Sequence, residues 1–283
     1  MTLPPQPQMQ PPYPPQAPPR RGMSTGLVLL LVIGIPLVVL ALIIGGSIGA
    51  VNAFRGTPVT DSVDADAASM LLVNATNASI HLSASDDDDE IHATMNGSYA
   101  GRKPSLDVTT AGGQTEIRGG CPGGWFLINR CQVRIEVSVP SDLDVTVGGQ
   151  NGAIRADGLT GDLDLSTTNG SVEVDESSGV LSLHSTNGKI ELQDSASTDV
   201  VAETTNGAVL LSFSDAPDEV TANSTNGGIR IVVPDDGTEY FIEAETTNGG
   251  VDTEDVPGDR RADRTITAGT TNGGITIETS HRR

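Results

Sequence analysis

The sequence predicts an all-β protein, a single-chain parallel β-solenoid with coils of about 20 residues, preceded by one N-terminal transmembrane helix. Three observations lead to this fold class. The dipeptide Asn-Gly recurs at nearly constant intervals, apolar residues alternate with polar ones on both sides of it, and a long uncharged apolar run lies near the N-terminus. Regular spacing near 20 residues is typical of repeat architectures.

The recurring turn is usually written Thr-Thr-Asn-Gly or Ser-Thr-Asn-Gly, and its intervals are 18, 18, 19, 20, 22 and 24 residues. An additional copy has Ala78 in place of the glycine. We interpret the asparagines as a structural ladder of turns, and we attribute Asn-Gly to the positive φ that a tight turn demands. The ladder comprises Asn77, Asn151, Asn169, Asn187, Asn206, Asn226, Asn248 and Asn272.

The flanks of each turn carry the pattern of two half-buried strands. Positions six and four before the asparagine, and three and five after it, are apolar in 31 of 32 cases, with Thr253 as the exception. Around Asn169, for example, they are Leu163, Leu165, Val172 and Val174. A period of two indicates strands with one buried face.

Two folds fit one such unit. Asn-Gly between alternating strands is typical of a type I′ hairpin, and seven hairpins would form an antiparallel meander. In a solenoid, the turn is one corner of a coil and each strand stacks on its counterpart in the next coil. The near-constant intervals favour the solenoid, as do the identical Thr, Asn and Gly residues, which gain from one another only when they stack.

The predicted extracytoplasmic domain spans residues 54–280, with irregular coils over 60–140 and regular Asn-Gly repeats over 141–280. In the irregular part the alternation survives in Val133, Ile135, Val137 and Val139, and Pro140 ends that strand.

The segment from Pro140 through Ser141-Asp142-Leu143-Asp144-Val145, followed by strand–Thr-Asn-Gly–strand units, resembles the bacterial putative-adhesin domain of unknown function. The resemblance covers about residues 60–280 and is strongest after Pro140. It implies a β-solenoid on an envelope protein and no established activity.

The first 53 residues comprise two segments that differ in composition. Residues 1–25 hold nine of the 17 prolines, interleaved with glutamine, and predict a disordered cytoplasmic tail; a proline-rich ligand for an SH3-like partner is the alternative. Residues 26–53 are long enough to cross a bilayer as a helix, and the rival interpretation is a cleaved signal peptide. Arg20 and Arg21 precede this run, which favours a single-pass protein of the cell membrane, with its N-terminus inside and its C-terminal domain outside.

Charge excludes some partners. The formal net charge is −21, and every Asp and Glu lies after residue 54. We therefore expect no nucleic-acid binding, since that affinity rests on neutralising phosphates. The expected partners are the lipid bilayer, through the transmembrane helix, and an unidentified envelope protein or glycan.

Cys121 and Cys131 bracket a short Gly-rich loop. In an outer compartment such a pair predicts a disulfide, and two free thiols or a redox pair are the alternatives. The loop also contains Trp125 and Phe126, which are either a recognition tip or an apolar cover for one end of the solenoid.

We expect no catalytic residues, no metal site and no cofactor. The acidic run from Asp86 to Glu90 permits weak, unspecific Ca²⁺ binding at most, because it lacks the glycine and the alternating spacing of an EF-hand loop. The four histidines show no zinc-ligand spacing.

Three functions remain open. The first is a surface protein that acts by adhesin-like binding or as structural material. The second is an envelope-stress or signalling component whose solenoid is a sensor or scaffold; deletion of residues 1–22 would separate these two, because only a transmitting role needs the tail. The third, which we favour least, is an enzyme acting on wall polysaccharide.

Overall fold

The computed structural model describes residues 35, 37, 40, 56–85, 90–123 and 130–280. The chain divides into two compact units, residues 1–54 and residues 55–283. Ile35, Leu37 and Leu40 are helical, and within the described residues no helix combines the length and hydropathy needed to span a bilayer. The predicted tail and the rest of the predicted transmembrane helix lie outside the described residues.

The described residues of the second unit form 21 strands, and sixteen of these form eight coils, each named here by the asparagine between its two strands. The paired strands are β2 Met70–Thr76 and β3 Ala78–Ser85, β8 Asp144–Asn151 and β9 Ile154–Asp157, β10 Leu163–Asn169 and β11 Val172–Asp175, β12 Leu181–Asn187 and β13 Ile190–Ser195, β14 Asp199–Asn206 and β15 Val209–Phe213, β16 Glu219–Asn226 and β17 Ile229–Val233, β18 Phe241–Asn248 and β19 Val251–Asp252, and β20 Thr265–Asn272 and β21 Ile275–Thr279.

The other five strands belong to the N-terminal end of the unit. They are β1 Thr57–Asp66, β4 Glu90–Ala100, β5 Ser105–Ala111, β6 Gln114–Gly120 and β7 Arg130–Pro140. Strands β6 and β7 pair in parallel with β2 and β3, so they form a further coil without an asparagine turn.

The first strand of every coil joins one sheet and the second strand joins another. The ten-stranded sheet has the order β18-β20-β16-β14-β12-β10-β8-β2-β6-β5, and the eleven-stranded sheet has the order β1-β4-β7-β3-β9-β11-β13-β15-β17-β21-β19. Neighbouring coils pair in parallel with equivalent residues opposite each other, as in Asn169 opposite Asn187. This pairing excludes the antiparallel meander and supports the solenoid-like, all-β fold predicted from the sequence.

The core lies between the two sheets and consists of the inward residues of the alternating pattern. Leu163, Leu165, Val172 and Val174 are at most 2% exposed, and the equivalent aliphatic residues of the other interior coils are also buried. The flanking pattern in the sequence therefore identified the core positions, because a strand that buries one face must alternate.

The order of coils along the solenoid differs from their order in the sequence at the C-terminal end. The Asn272 coil stacks directly on the Asn226 coil, and the Asn248 coil stacks outside it. The connection 234–240 passes the layer of the Asn272 coil, and the connection 253–264 returns from the outermost coil to that layer; both are longer than the connections between the coils of Asn151 to Asn226. Thr253, the polar exception in the pattern, belongs to this outermost coil, where Val251 is 44% exposed.

The N-terminal end also departs from the predicted run of irregular parallel coils. The Asn77 coil pairs directly with the Asn151 coil, while β1, β4 and β5 pair antiparallel with their neighbours. Strand β5 turns into β6 through Gly112 and Gly113, which have φ of 62° and 81°. Antiparallel strands end the parallel stacking, and edge strand β1 carries Asp61, Asp64 and Asp66, which deter pairing with other chains.

Candidate functional site: a polar groove beside the asparagine ladder

The asparagine side chains form one continuous hydrogen-bonded ladder. In each coil the Nδ2 donates to the Oδ1 of the asparagine in the preceding layer, at 2.6–3.0 Å. In spatial order the ladder is Asn77, Asn151, Asn169, Asn187, Asn206, Asn226, Asn272 and Asn248. At its first end Asn77 Nδ2 donates to the backbone oxygen of Cys121 at 3.3 Å.

A second ladder lies inside the turn. The Thr or Ser two residues before the asparagine points inward and donates its hydroxyl to the carbonyl oxygen of the turn glycine in the adjacent layer. Thr204 Oγ1, for example, lies 2.9 Å from Gly188 O, and Ser224 Oγ lies 2.9 Å from Gly207 O. Both side chains are buried, so these bonds satisfy groups that water does not reach.

The turn glycine is required for close approach between coils, which corrects our expectation of a positive-φ turn. Among the turn asparagines only Asn77 has a positive φ, and among the turn glycines only Gly152 and Gly273 do, at 151° and 157°. A Cβ at Gly188 would overlap the carbonyl group of Gly170, with its carbonyl carbon at 2.5 Å. Because the obstacle is backbone, no side-chain rotation relieves the overlap.

An open groove of about 810 Å³ runs beside the ladder on the outer face of the ten-stranded sheet. It spans six consecutive coils, from Asn169 to Asn248 in spatial order, and reaches Gly149 of the next coil. At about 4.8 Å per strand, its length is roughly 25 Å. Two columns of outward-facing residues border it, one and three residues before each asparagine. The first column is Thr168, Thr186, Thr205, Thr225, Thr271 and Thr247, and the second is Ser166, His184, Glu203, Asn223, Gly269 and Glu245.

The acidic residues and the histidine of the groove lie in the second column. His184 Nδ1 is 3.5 Å from Glu203 Oε2, and Asn223 Nδ2 donates to Glu203 Oε1 at 3.3 Å. Glu245 stands in the outermost coil. No lysine, arginine, phenylalanine, tyrosine or tryptophan lines the groove in the part of the chain that the structure describes. The groove therefore presents hydroxyl, amide and carboxylate groups and one imidazole to solvent.

A separate ion-pair cluster occupies the outer face of the eleven-stranded sheet. Arg155 Nε donates to Asp157 Oδ1 at 3.1 Å, and His81 Nε2 lies 2.5 Å from Asp157 Oδ2. The hydrogen bond and the charge of Asp157, together with Glu173 and Asp175, raise the pKa of Arg155. These pairs link the Asn77, Asn151 and Asn169 coils and involve no groove residue.

The structure joins Cys121 and Cys131 in a disulfide. Trp125 and Phe126, and residues Asp86–Asp89 of the acidic run, lie outside the described residues. Among the residues that are described, no group of three or more His, Cys, Asp or Glu side chains is arranged to hold a metal ion.

The sequence predicted the asparagine ladder as a structural feature but did not single out the groove. Its second column contains a different residue in almost every coil, so no motif marks it. The available signal was position. Three residues before each asparagine, the alternating pattern faces outward, and parallel stacking brings these six positions, five of which carry a side chain, into one line.

Residues 144–281 match the family described as Toastrack DUF4097. This segment, just under half of the chain, is therefore similar to the Toastrack family. This match confirms the resemblance to a domain of unknown function that the Pro140 segment and the Thr-Asn-Gly units indicated. The Toastrack match covers all the groove residues and seven of the eight ladder asparagines.

Several solved structures resemble this chain at low identity. A "putative cell adhesion protein" from Clostridium sporogenes is 15% identical, with 79% of this chain and 100% of that chain covered and a TM-score of 0.39. A "putative adhesin" from Bacteroides fragilis is 11% identical, with 78% and 97% covered and a TM-score of 0.44. A third, a "putative adhesin" from Parabacteroides merdae, is 12% identical, with 80% and 98% covered and a TM-score of 0.43. No curated protein matches the chain.

Proposed function

We propose that this chain is a single-pass membrane protein whose Toastrack-like domain binds a linear glycan of neutral or positively charged sugars outside the cell membrane. The observation that carries the proposal is the polar groove across six coils. The uncharged apolar run of residues 26–53 supports the membrane anchor and the external location.

The chemistry of the groove favours this ligand class. Threonine hydroxyls border one side for its whole length, and Glu203, Asn223 and Glu245 supply acceptors and donors on the other. Such groups suit the hydroxyl and amino groups of sugars. The groove contains two carboxylates and no lysine or arginine, and the surrounding domain is acidic. Binding of polyanions is therefore disfavoured.

The shape of the groove favours a chain over a compact ligand. A groove of roughly 25 Å, along which similar groups recur at about 4.8 Å, offers repeated contacts to an extended polymer. The two hydrogen-bonded ladders and the parallel strands hold its walls in fixed positions, so little ordering is required on binding.

The spacing of the carboxylates supports binding without catalysis. Glu203 and Glu245 are three strands apart in the sheet, which is about 14 Å at roughly 4.8 Å per strand. The carboxyl pairs of glycosidases lie about 5–10 Å apart. We therefore propose a lectin-like role and not a hydrolytic one.

The test is binding of the full chain in detergent to a neutral xylan, to cationic chitosan and to anionic polygalacturonate. We expect binding to xylan or chitosan and none to polygalacturonate. Two substitutions, Thr205→Arg and Thr225→Arg, fill the groove and should abolish binding. Thr276→Arg adds the same charge on the outer face of the eleven-stranded sheet and is the matched control.

Equal binding by the groove variants and the Thr276→Arg control would contradict the groove as the site. Absence of binding to both xylan and chitosan by a folded chain would contradict the proposed ligand class. In that event a structural surface role, or signalling through the N-terminal tail, would become the better hypothesis.

A further inference from the structure

The backbone beside most ladder asparagines is hydrogen-bonded to the next coil. In six of the seven Asn-Gly turns, the glycine N–H donates to the carbonyl oxygen of the asparagine in the adjacent layer, at 2.9–3.1 Å. The donors are Gly152, Gly170, Gly188, Gly207, Gly227 and Gly273. In the same six turns, the asparagine Oδ1 accepts the side-chain amide of the next layer.

The seventh turn, Asn248-Gly249, lies in the outermost coil and lacks both interactions. The Gly249 N–H has no hydrogen-bond partner among the described residues, and no ladder amide donates to Asn248 Oδ1. Both residues are exposed, and so is Gly250. Asn248 remains tied to the protein on one side, where its Nδ2 donates to Asn272 Oδ1 at 3.0 Å.

Asn-Gly is a reactive dipeptide because the glycine nitrogen can attack the asparagine Cγ without obstruction from a side chain. A bond forms between that nitrogen and Cγ, the Cγ–Nδ2 bond breaks, and Nδ2 leaves as ammonia after taking up the proton of the glycine N–H. Water then opens the resulting five-membered succinimide at either carbonyl, which gives aspartate or isoaspartate. The reaction requires only water, a free glycine N–H and a side chain that can rotate towards it.

We propose that Asn248 is a site of spontaneous deamidation and isoaspartate formation, and that the ladder protects the other turns. In the interior turns, a reaction would require the glycine N–H and the asparagine side chain to leave their partners in the next layer. Asn96-Gly97, the other Asn-Gly dipeptide of the sequence, lies within β4, where Gly97 is paired with β1 on one side and β7 on the other.

The modification adds a carboxylate to the open end of the solenoid, and the isoaspartate form also lengthens the backbone by one methylene group. It takes place at the end of the groove, beside Thr247 and Glu245. The proposal does not depend on the glycan-binding function, since it rests only on the hydrogen bonds of the turn.

The experiment is incubation of the full chain at mildly alkaline pH, followed by proteolysis and mass spectrometry of each Asn-Gly peptide, with separation of the aspartate and isoaspartate products. We expect Asn248 to react roughly tenfold faster or more than Asn187 or Asn226, since interior turns react only after local opening. The same chain in concentrated guanidinium chloride is the control, and there the seven turns should react at similar rates.

Equal rates at Asn248 and the interior turns in the folded chain would overturn the proposal, and so would faster reaction at any other turn. Asn248→Gln removes the predicted product and leaves Asn187 and Asn226, which do not contact Asn248, as internal references, so it verifies the assignment of the modified peptide. A rate difference that persisted in denaturant would also contradict the proposal, because it would arise from local sequence and not from the ladder.

Discussion

Gly227 and Gly228 are adjacent in one turn but have different surroundings. A Cβ at Gly227 would lie 2.5 Å from the carbonyl carbon of Gly207 and 3.0 Å from Ala208 N, whereas a Cβ at Gly228 would have its nearest neighbour, Gly274 O, at 3.4 Å. The first position is therefore filled by the backbone of the adjacent coil, and the second has room for a methyl group.

We predict that Gly227→Ala destabilises the domain strongly, by about 1–3 kcal/mol or more, because two coil backbones must separate. Gly228→Ala should change the free energy of unfolding by less than about 0.5 kcal/mol, as is usual for an accommodated surface substitution. Denaturant unfolding of the two variants checks this. Similar losses of stability in both variants would contradict the close-approach explanation. They would indicate that the turn needs glycine for its backbone conformation instead.

Tyr240 combines full burial with a hydroxyl that has no hydrogen-bond partner among the described residues. It lies where the connections 234–240 and 253–264 meet, with its N–H donating to Pro257 O at 3.1 Å and its carbonyl accepting from Asp259 N at 3.0 Å. Burial, with a smaller contribution from the charge of Asp236, raises its pKa to about 12. The neutral phenol is therefore favoured in the folded state.

Because this folded-state pKa lies above the unfolded value of about 10, the contribution of Tyr240 is fully present below pH 10 and is lost as the pH rises towards 12. We predict that the free energy of unfolding falls more steeply over this interval in the native chain than in Tyr240→Phe. At neutral pH the variant should be equally stable, or more stable by about 1 kcal/mol, since an unsatisfied buried hydroxyl is removed. Tyr99→Phe, at a less buried tyrosine, is the control, and parallel pH curves for the native chain and Tyr240→Phe would disprove the prediction.

At the scale of elements, the sequence predicted the interior coils well because each is specified by local pattern. The apolar positions identify the buried face of each strand, and the repeated asparagine fixes the register between coils, as Asn169 and Asn187 show. The solenoid-like stacking followed from these two facts, since identical residues at equal intervals gain from one another only when they are neighbours.

The order of coils could not be predicted because it depends on contacts that the repeat itself does not encode. The Asn272 and Asn248 coils carry the same turn, so either could stack on the Asn226 coil. The outer position is suited to Thr253 and the exposed Val251, which an interior coil would have to bury. The lengthening connections were the available signal, because a chain that passes a layer, or turns back towards one already passed, needs additional residues.

The groove could not be predicted from the sequence, because its lining residues come together only when the coils stack. His184, Glu203 and Asn223 belong to different repeats and resemble no motif, yet they occupy one line on the sheet. A column of this kind is free to vary, because its side chains point to solvent and the core and ladders do not depend on them. Its composition is therefore where coil-to-coil differences can carry specificity.

At the scale of the whole molecule, stability is set by an apolar core inside a strongly acidic surface. The formal net charge is −21, and among the described residues no Asp or Glu is buried. Surface carboxylates at this density repel one another and favour expansion of the chain. Salt weakens that repulsion, since the screening length falls from about 30 Å at 0.01 M to about 3 Å at 1 M ionic strength.

We therefore predict that the thermal midpoint of the domain rises steadily with salt, and that NaCl and tetramethylammonium chloride act equally, because screening depends on ionic strength and not on the identity of the cation. CaCl₂ at matched ionic strength should add only the modest further effect of a divalent counterion. Calorimetric scans of the full chain in the three salts measure this. A sharp, saturating rise at low calcium concentration would show a specific calcium site and contradict the expectation that the acidic surface binds cations only weakly, while a midpoint independent of salt would show that repulsion does not limit stability.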